Sequence, residues 1–213
     1  MLKVNGLKRL KKIKKFIYLI SPNKIKSKKF LEDLNLIFKT KKISFFQLRL
    51  KMENTKKIII IGKKINKICR KNRVKLIIND NPILAKKINA DGCHIGQSDS
   101  TVFRARKILN KKIVGVTCHN SKILIKKAMK DKADYIALGA FYSSKTKKVK
   151  FKADVKLLKD AKKMTKIPIV AIGGIKFNNY KKLLLNKANF LAISSYVWRN
   201  KKLTPIEAIR KLK

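Results

Sequence analysis

Acidic side chains are scarce in this chain. Asp and Glu together number 11, against 57 Lys and Arg, and the formal net charge is +46. Long apolar runs are missing too. The longest, 167–175 and 190–198, have nine residues each, whereas a bilayer-spanning helix needs about 20, so such a helix is excluded. Cysteine is limited to Cys69, Cys93 and Cys118. An odd, sparse set implies no disulfide framework and fits a reducing compartment. The first 15 residues are basic, but the apolar stretch at 16–20 is too short for a signal-peptide core, and no small-residue cleavage site follows. The expected location is therefore cytoplasmic. No internal repeat, heptad pattern or low-complexity linker is present. What is plentiful is apolar character, 45% of residues, which supplies a full core and excludes a disordered polybasic tail.

The charge invites a nucleic-acid reading, because Lys and Arg neutralise phosphates and release counterions. The composition offers a plainer account. Lys supplies 49 of the basic residues and Arg 8, while Ile (29) and Asn (16) are also abundant. Lys, Ile and Asn all have AT-rich codons, so a nucleotide bias gives this profile in any protein. The cations are spread over the whole chain in pairs, and readers of bases favour Arg for bidentate contacts. No specific nucleic-acid partner is expected. In a chain with so few acids, each carboxylate near a strand end gains interest.

Eight short β-branched or apolar runs alternate with Lys-rich segments of helical spacing. The runs are 16–21, 43–50, 75–79, 92–96, 113–118, 135–139, 167–172 and 190–194. Several are almost wholly apolar, as expected of parallel strands covered on both faces. Helical spacing marks 27–38, 54–72, 101–109, 122–129, 154–164, 178–185 and 204–212, the last with Thr204 as N-cap and Pro205 at the first helical position. This alternation predicts a closed (β/α)₈ barrel, a TIM barrel, as a single small domain over 16–213. The alternative is an open doubly wound sheet, but no G-x-G-x-x-G follows the first strand. The basic segment 1–15, with Leu2, Leu7, Leu10 and Ile13, reads as a short helix closing the bottom of the barrel. A membrane-surface helix is the other reading of it.

Barrel chemistry sits at the C-terminal strand ends, which limits the search to eight places. After the second strand, alternation puts Gln47, Arg49 and Lys51 on one face, opposite Leu48 and Leu50. They line a cavity mouth or are solvated rim charges. Asp80 follows the third strand and Asp99 the fourth. Two such carboxylates can hold a divalent cation with substrate phosphate and waters, or each can cap a helix. Asp91 opens the fourth strand and belongs to the bottom face. The fifth strand leads into Thr117-Cys118-His119. The sixth leads into Ser143-Ser144-Lys145-Thr146-Lys147, a hydroxyl- and ammonium-rich loop suited to an anion. Gly173-Gly174 after the seventh strand and Ser194-Ser195 after the eighth match a common barrel phosphate site. The pairs Cys93-His94 and Cys118-His119 are poor zinc chelates, since strand neighbours point to opposite faces. His94 reads as a satisfied barrel histidine. His119, at a strand end, reads as a satisfied rim histidine or as a candidate acid or base.

The segments QLRLK, IINDN, ADGCHIGQSD, GVTCHN, YIALGAFYSSKTK, IPIVAIGGI and FLAISS, taken together, resemble the thiamine-phosphate synthase family, in its order and over about residues 16–212. The resemblance implies a small barrel that joins 4-amino-2-methyl-5-hydroxymethylpyrimidine diphosphate to 4-methyl-5-hydroxyethylthiazole phosphate. Pyrophosphate leaves and thiamine phosphate forms by a dissociative, Mg²⁺-assisted substitution. It further implies that Gln47, Arg49, Lys51 and Asn79 surround the pyrimidine diphosphate, with Thr117 and Lys147. Asp80 and Asp99 would hold Mg²⁺. Ser144, Lys145, Thr146, Gly174, Ile193 and Ser194 would hold the thiazole phosphate, and Lys51, Lys147 and Thr117 would serve catalysis. The implied partners are phosphorylated small molecules, and a homo-oligomer fits as well as a monomer. The chain departs from the family where Leu50 replaces a frequent Glu, Asn81 a frequent Arg, and Ser143-Ser144 a usual Pro-Thr. A sister family, the thiazole tautomerases, shares the barrel, and there a His at the place of His119 would matter more. Lys51, the Asp80/Asp99 pair and Thr146-Lys147 favour the synthase.

Overall fold

Eight parallel strands close on themselves in the order β1 to β8, each bonded to its sequence neighbour and β8 to β1. They are β1 (Ile17–Ile20), β2 (Ile43–Leu48), β3 (Lys75–Asn79), β4 (Gly92–Ile95), β5 (Ile113–His119), β6 (Tyr135–Gly139), β7 (Ile169–Ile172) and β8 (Phe190–Ile193). The structure, a computed structural model, describes residues 15–25, 29–143 and 151–212. The helix expected in the basic segment at 1–15 therefore lies outside the described residues, apart from residue 15. The barrel itself is as the sequence predicts. Helices alternate with the strands: α1 (Lys29–Lys39), α2 (Thr55–Lys71), α3 (Pro82–Ile88), α4 (Val102–Leu109), α5 (Lys122–Lys130), α6 (Lys156–Met164), α7 (Tyr180–Leu185), α8 (Ser195–Trp198) and α9 (Pro205–Lys211).

Strand alternation builds two cores. Leu19, Phe46, Leu76, Ile78, Ile136, Ile169 and Leu191 face the helices and are buried under α1, α2 and their successors. Their sequence neighbours Tyr18, Ile77, Tyr135, Ala137, Val170 and Ala192 turn inward and fill the barrel, with Phe45 and Phe190 packed against them. Burying both faces explains why the strands read as near-continuous apolar runs. Gly115 is required by the inner layer. A Cβ there would stand 1.9 Å from Cζ of Tyr135, so the ring of Tyr135 lies across a strand that has given up its side chain.

Two short helices escape the sequence reading. α3 has seven residues. Its ends are written locally: Asn81 accepts from the backbone N–H of Leu84, Pro82 takes the first turn, and Asn89 closes the helix in the left-handed conformation. α8 is a single turn after Ser194. The last helix is secured as the sequence predicts. Thr204 and Glu207 form a reciprocal capping box, and the Lys42 ammonium donates to the terminal carbonyls of Arg210 and Leu212 at 2.9 and 2.8 Å.

Candidate active site

Several polar groups converge on the C-terminal mouth of the barrel. Gln47, buried on the inner face of β2, donates from Nε2 to Asn79 Oδ1 at 2.8 Å. β2 ends at Leu48, so the alternation expected to run on to Lys51 stops short. Arg49 bonds from its backbone N–H to Ser21 Oγ and from its guanidinium to Asn23 Oδ1. Lys51 lies in a turn that carries its ammonium to 3.3 Å from Asp80 Oδ2.

Asp80 holds a left-handed backbone, φ 62°, and its N–H donates to the carbonyl of His94 at 2.7 Å. Asp tolerates this conformation better than most side chains, and seven other non-Gly described residues share it, so here it marks a turn. Asp99 is fixed by the Gly96 N–H, which donates to its Oδ2 at 2.9 Å. The two carboxyls lie close enough to feel each other's charge. Burial, and then Asp99, push the Asp80 carboxyl above the ordinary carboxylate range, and Lys51 opposes the shift. Two acids forced together in a partly buried place suit a bound divalent cation, which relieves their repulsion and accepts hard oxygen ligands. Asp80 and Asp99 are the residues that could hold one. Asp91, by contrast, accepts from the Leu76 N–H and pairs with Lys75, a bottom-face role as expected.

Below the carboxylates runs a chain of buried hydroxyls and an imidazole. His94 Nε2 lies 2.9 Å from Thr117 Oγ1, and its Nδ1 lies 3.0 Å from the Tyr135 hydroxyl, which in turn lies 2.7 Å from that of Tyr18. Burial holds the imidazole pKa down at about 4, against a weaker upward pull from Asp99. His94 is thus the satisfied barrel histidine that the sequence suggested, but its partners could not be read there. Gln97 also donates from Nε2 to the Thr117 carbonyl.

On the opposite side of the mouth, Gly173 (φ 106°) and Gly174 (φ 58°) turn the chain out of β7. A Cβ at Gly174 would meet the Ser143 carbonyl oxygen at 2.3 Å. Asn179 pins this loop: its Nδ2 donates to the Gly174 carbonyl at 3.0 Å and its Oδ1 accepts from the Lys176 N–H at 2.9 Å. Ile193 ends β8 in full burial, and Ser194 precedes the turn of α8 with its hydroxyl 3.4 Å from the Ser21 carbonyl. Ser144, Lys145, Thr146 and Lys147 lie outside the described residues. Tyr142 and Phe151, which flank that stretch, are held at the mouth. The Tyr142 N–H donates to the Gly173 carbonyl at 3.2 Å, and the Phe151 ring lies 4.3 Å from that of His119. The cysteines are buried and free, and no cluster of three or more metal-ligating side chains occurs among the described residues.

A cleft of about 300 Å³ opens at the other end, beside Arg70, Asn89 and Asp91. Lys112 and Lys75 there are spent on Asn89, Ala90 and Asp91. The mouth, with its carboxylates, cations and glycine turns, is the stronger site.

A (β/α)₈ barrel with a carboxylate pair beside an ammonium, and a double-glycine turn across from them, has the layout of a barrel enzyme with its site at the C-terminal mouth. Residues 17–197 match the family model of thiamine monophosphate synthase. The chain is 66% identical to the thiamine-phosphate synthase of Pelagibacter ubique strain HTCC1062, over 94% of this chain and 97% of that one. It is 35% identical to the thiamine-phosphate synthase of Rhodospirillum centenum, over 86% and 89% of the two chains. Among solved structures, the thiamine phosphate pyrophosphorylase from Pyrococcus furiosus shares the fold at a TM-score of 0.81, with 24% identity and 94% of each chain covered. The chain belongs to the thiamine monophosphate synthase family.

Proposed function

We propose that this chain is a transferase that joins 4-amino-2-methyl-5-hydroxymethylpyrimidine diphosphate to 4-methyl-5-hydroxyethylthiazole phosphate, releasing pyrophosphate and forming thiamine phosphate. The observation that carries the reading is the pairing of Asp80 and Asp99 beside Lys51 at the barrel mouth, in a chain this similar to named synthases. Mg²⁺ held by Asp80 and Asp99 would supply charge neutralisation for the departing diphosphate. Gln47, Arg49 and Asn79 bind and orient the pyrimidine diphosphate, and Thr117 offers it a hydroxyl. Lys51 and Lys147 meet the negative charge that grows as the C–O bond breaks, which is stabilisation aimed at the transition state. The resulting pyrimidine methylene cation is attacked by the thiazole nitrogen. The thiazole phosphate is held by Ser144, Lys145 and Thr146, with the backbone at Gly174, Ile193 and Ser194. No protein nucleophile is needed. The enzyme works in the cytoplasm, as the free, buried thiols suggest.

The test supplies purified protein with both phosphorylated substrates and Mg²⁺ and follows thiamine phosphate and pyrophosphate. Both should appear in equal amounts, and absence of product with fresh substrates overturns the reading. Asp80→Asn and Asp99→Asn should each raise the Mg²⁺ concentration needed for half-maximal rate. An unchanged Mg²⁺ dependence in both removes the metal assignment. His119→Asn should retain most synthase activity, whereas a tautomerase would lose its reaction.

A further inference from the structure

We propose that His94 is a positioning residue that, through a buried relay from Tyr18 and Tyr135, fixes the Thr117 hydroxyl as a hydrogen-bond donor toward an acceptor atom of the pyrimidine diphosphate. This rests on the assignment of Thr117 to that substrate made above.

The geometry follows from strand register. His94 on β4, Gly115 on β5 and Tyr135 on β6 are lateral neighbours across the sheet. All three face inward. The missing side chain at Gly115 lets the Tyr135 ring lie over β5 and stack against the imidazole, with centroids 5.5 Å apart and planes 16° from parallel. Thr117 is two residues further along β5, hence one layer nearer the mouth, and it is only half buried. The relay therefore climbs from a sealed layer to the edge of the site.

Donor accounting gives the relay a direction. A buried neutral imidazole has one N–H and one lone pair. If Tyr18 donates to Tyr135, Tyr135 donates to His94 Nδ1, and His94 donates from Nε2 to Thr117 Oγ1, every hydrogen in the relay has an acceptor. The Thr117 hydrogen is then free to point to the mouth. In the reverse direction, Thr117 spends its hydrogen on His94, and the Tyr18 hydroxyl must donate elsewhere in an interior filled by Phe45, Ile77 and Val170. An unsatisfied buried donor is costly, so the first direction prevails. The Gln97 amide, on the Thr117 carbonyl, holds the backbone beneath the hydroxyl.

The experiment is a double-mutant cycle read as KM for each substrate. Thr117→Val should raise KM for the pyrimidine diphosphate about tenfold, the scale of one hydrogen bond, and leave KM for the thiazole phosphate alone. His94→Phe should do the same, and His94→Gln, which keeps an N–H near the place of Nε2, should recover most of the loss. The double variant His94→Phe/Thr117→Val should be no worse than Thr117→Val, because His94 acts only through that hydroxyl. Multiplying losses, or a wild-type KM in His94→Phe beside a weakened Thr117→Val, overturns the relay. A wild-type KM in Thr117→Val overturns the underlying assignment of Thr117. Should His94→Phe fail to fold, Tyr135→Phe removes one oxygen and should shift the same KM about threefold. No shift there counts against the relay.

Discussion

Rarity of chemical type made some residues readable and left others hidden. Asp80 and Asp99 stood out in a chain with 11 acids, and the structure places them side by side with Lys51. Lys51→Met should lower kcat by about 10- to 100-fold, toward the smaller end because the ammonium is half exposed. Steady-state rates at saturating substrates read this directly. His94 could not be ranked from sequence, because its importance lies in which atoms reach it from two other strands and, through Tyr135, from a third. It also carries a stability signature. The folded imidazole pKa is about 4 against 6.5 unperturbed, so the native state prefers the neutral ring. That preference is fully present above pH 6.5. It is lost as pH falls from 6.5 to about 4, because the unfolded chain binds a proton that the folded chain refuses, and the total is about 3 kcal/mol. The raised Asp80 carboxyl acts in the opposite sense, favouring the fold at low pH, and it is common to wild type and variant. Denaturation midpoints at pH 7 and pH 4.5 should therefore fall less in His94→Phe than in wild type. Equal falls would show that His94 is not held neutral.

At the scale of elements, the alternation of apolar runs with helical spacing identified every strand, because most strand positions are buried on both faces. It missed Pro82–Ile88, which is marked by its Asn81 cap and left-handed Asn89 rather than by a helical period, and it overran where a strand stops before its polar run does, as at Leu48. Lys51 reaches Asp80 by a turn, which alternation does not describe. The turn after β7 was legible from its two glycines, but the residue that fixes it was not. Asn179 sits five positions beyond Gly174 and reaches back with both ends of its amide, while its carbonyl accepts from the Tyr142 hydroxyl at 3.3 Å. Asn179→Ala removes two side-chain bonds and should cost about 1–2 kcal/mol in chemical denaturation. Because the loop it pins is the one assigned to the thiazole phosphate, KM for that substrate should rise several-fold while KM for the pyrimidine diphosphate holds. A rise in both would mean that Asn179 supports the whole mouth.

The whole molecule carries a charge of +46, with few acids to offset it. Five ion pairs involve the described residues: Lys51–Asp80, Lys57–Glu53, Lys75–Asp91, Arg106–Asp134 and Lys122–Asp160. The remaining cations repel one another, and net repulsion destabilises a compact state. Salt shortens its range, from about 30 Å at 0.01 M to about 10 Å at 0.1 M. Simple salt should therefore raise the melting temperature, against the usual loss expected when surface ion pairs are screened. The proposed substrates are both anions, and the same positive field draws them in. For them salt should act the other way: kcat/KM at low substrate falls as NaCl rises from 20 to 300 mM, while kcat at saturation changes little. Stability and substrate capture thus move in opposite directions in one titration, because one depends on repulsion within the protein and the other on attraction to a ligand. A nucleic-acid function makes a different demand. Binding to DNA or RNA would have to survive physiological salt, whereas attraction due to charge alone decays steeply with salt over the same range. A melting temperature that falls with salt, together with nucleic-acid binding that persists at 150 mM, would mean that the lysines have a built partner. A rising melting temperature with binding lost by that point would leave them as a compositional excess that an enzyme tolerates and its anionic substrates exploit.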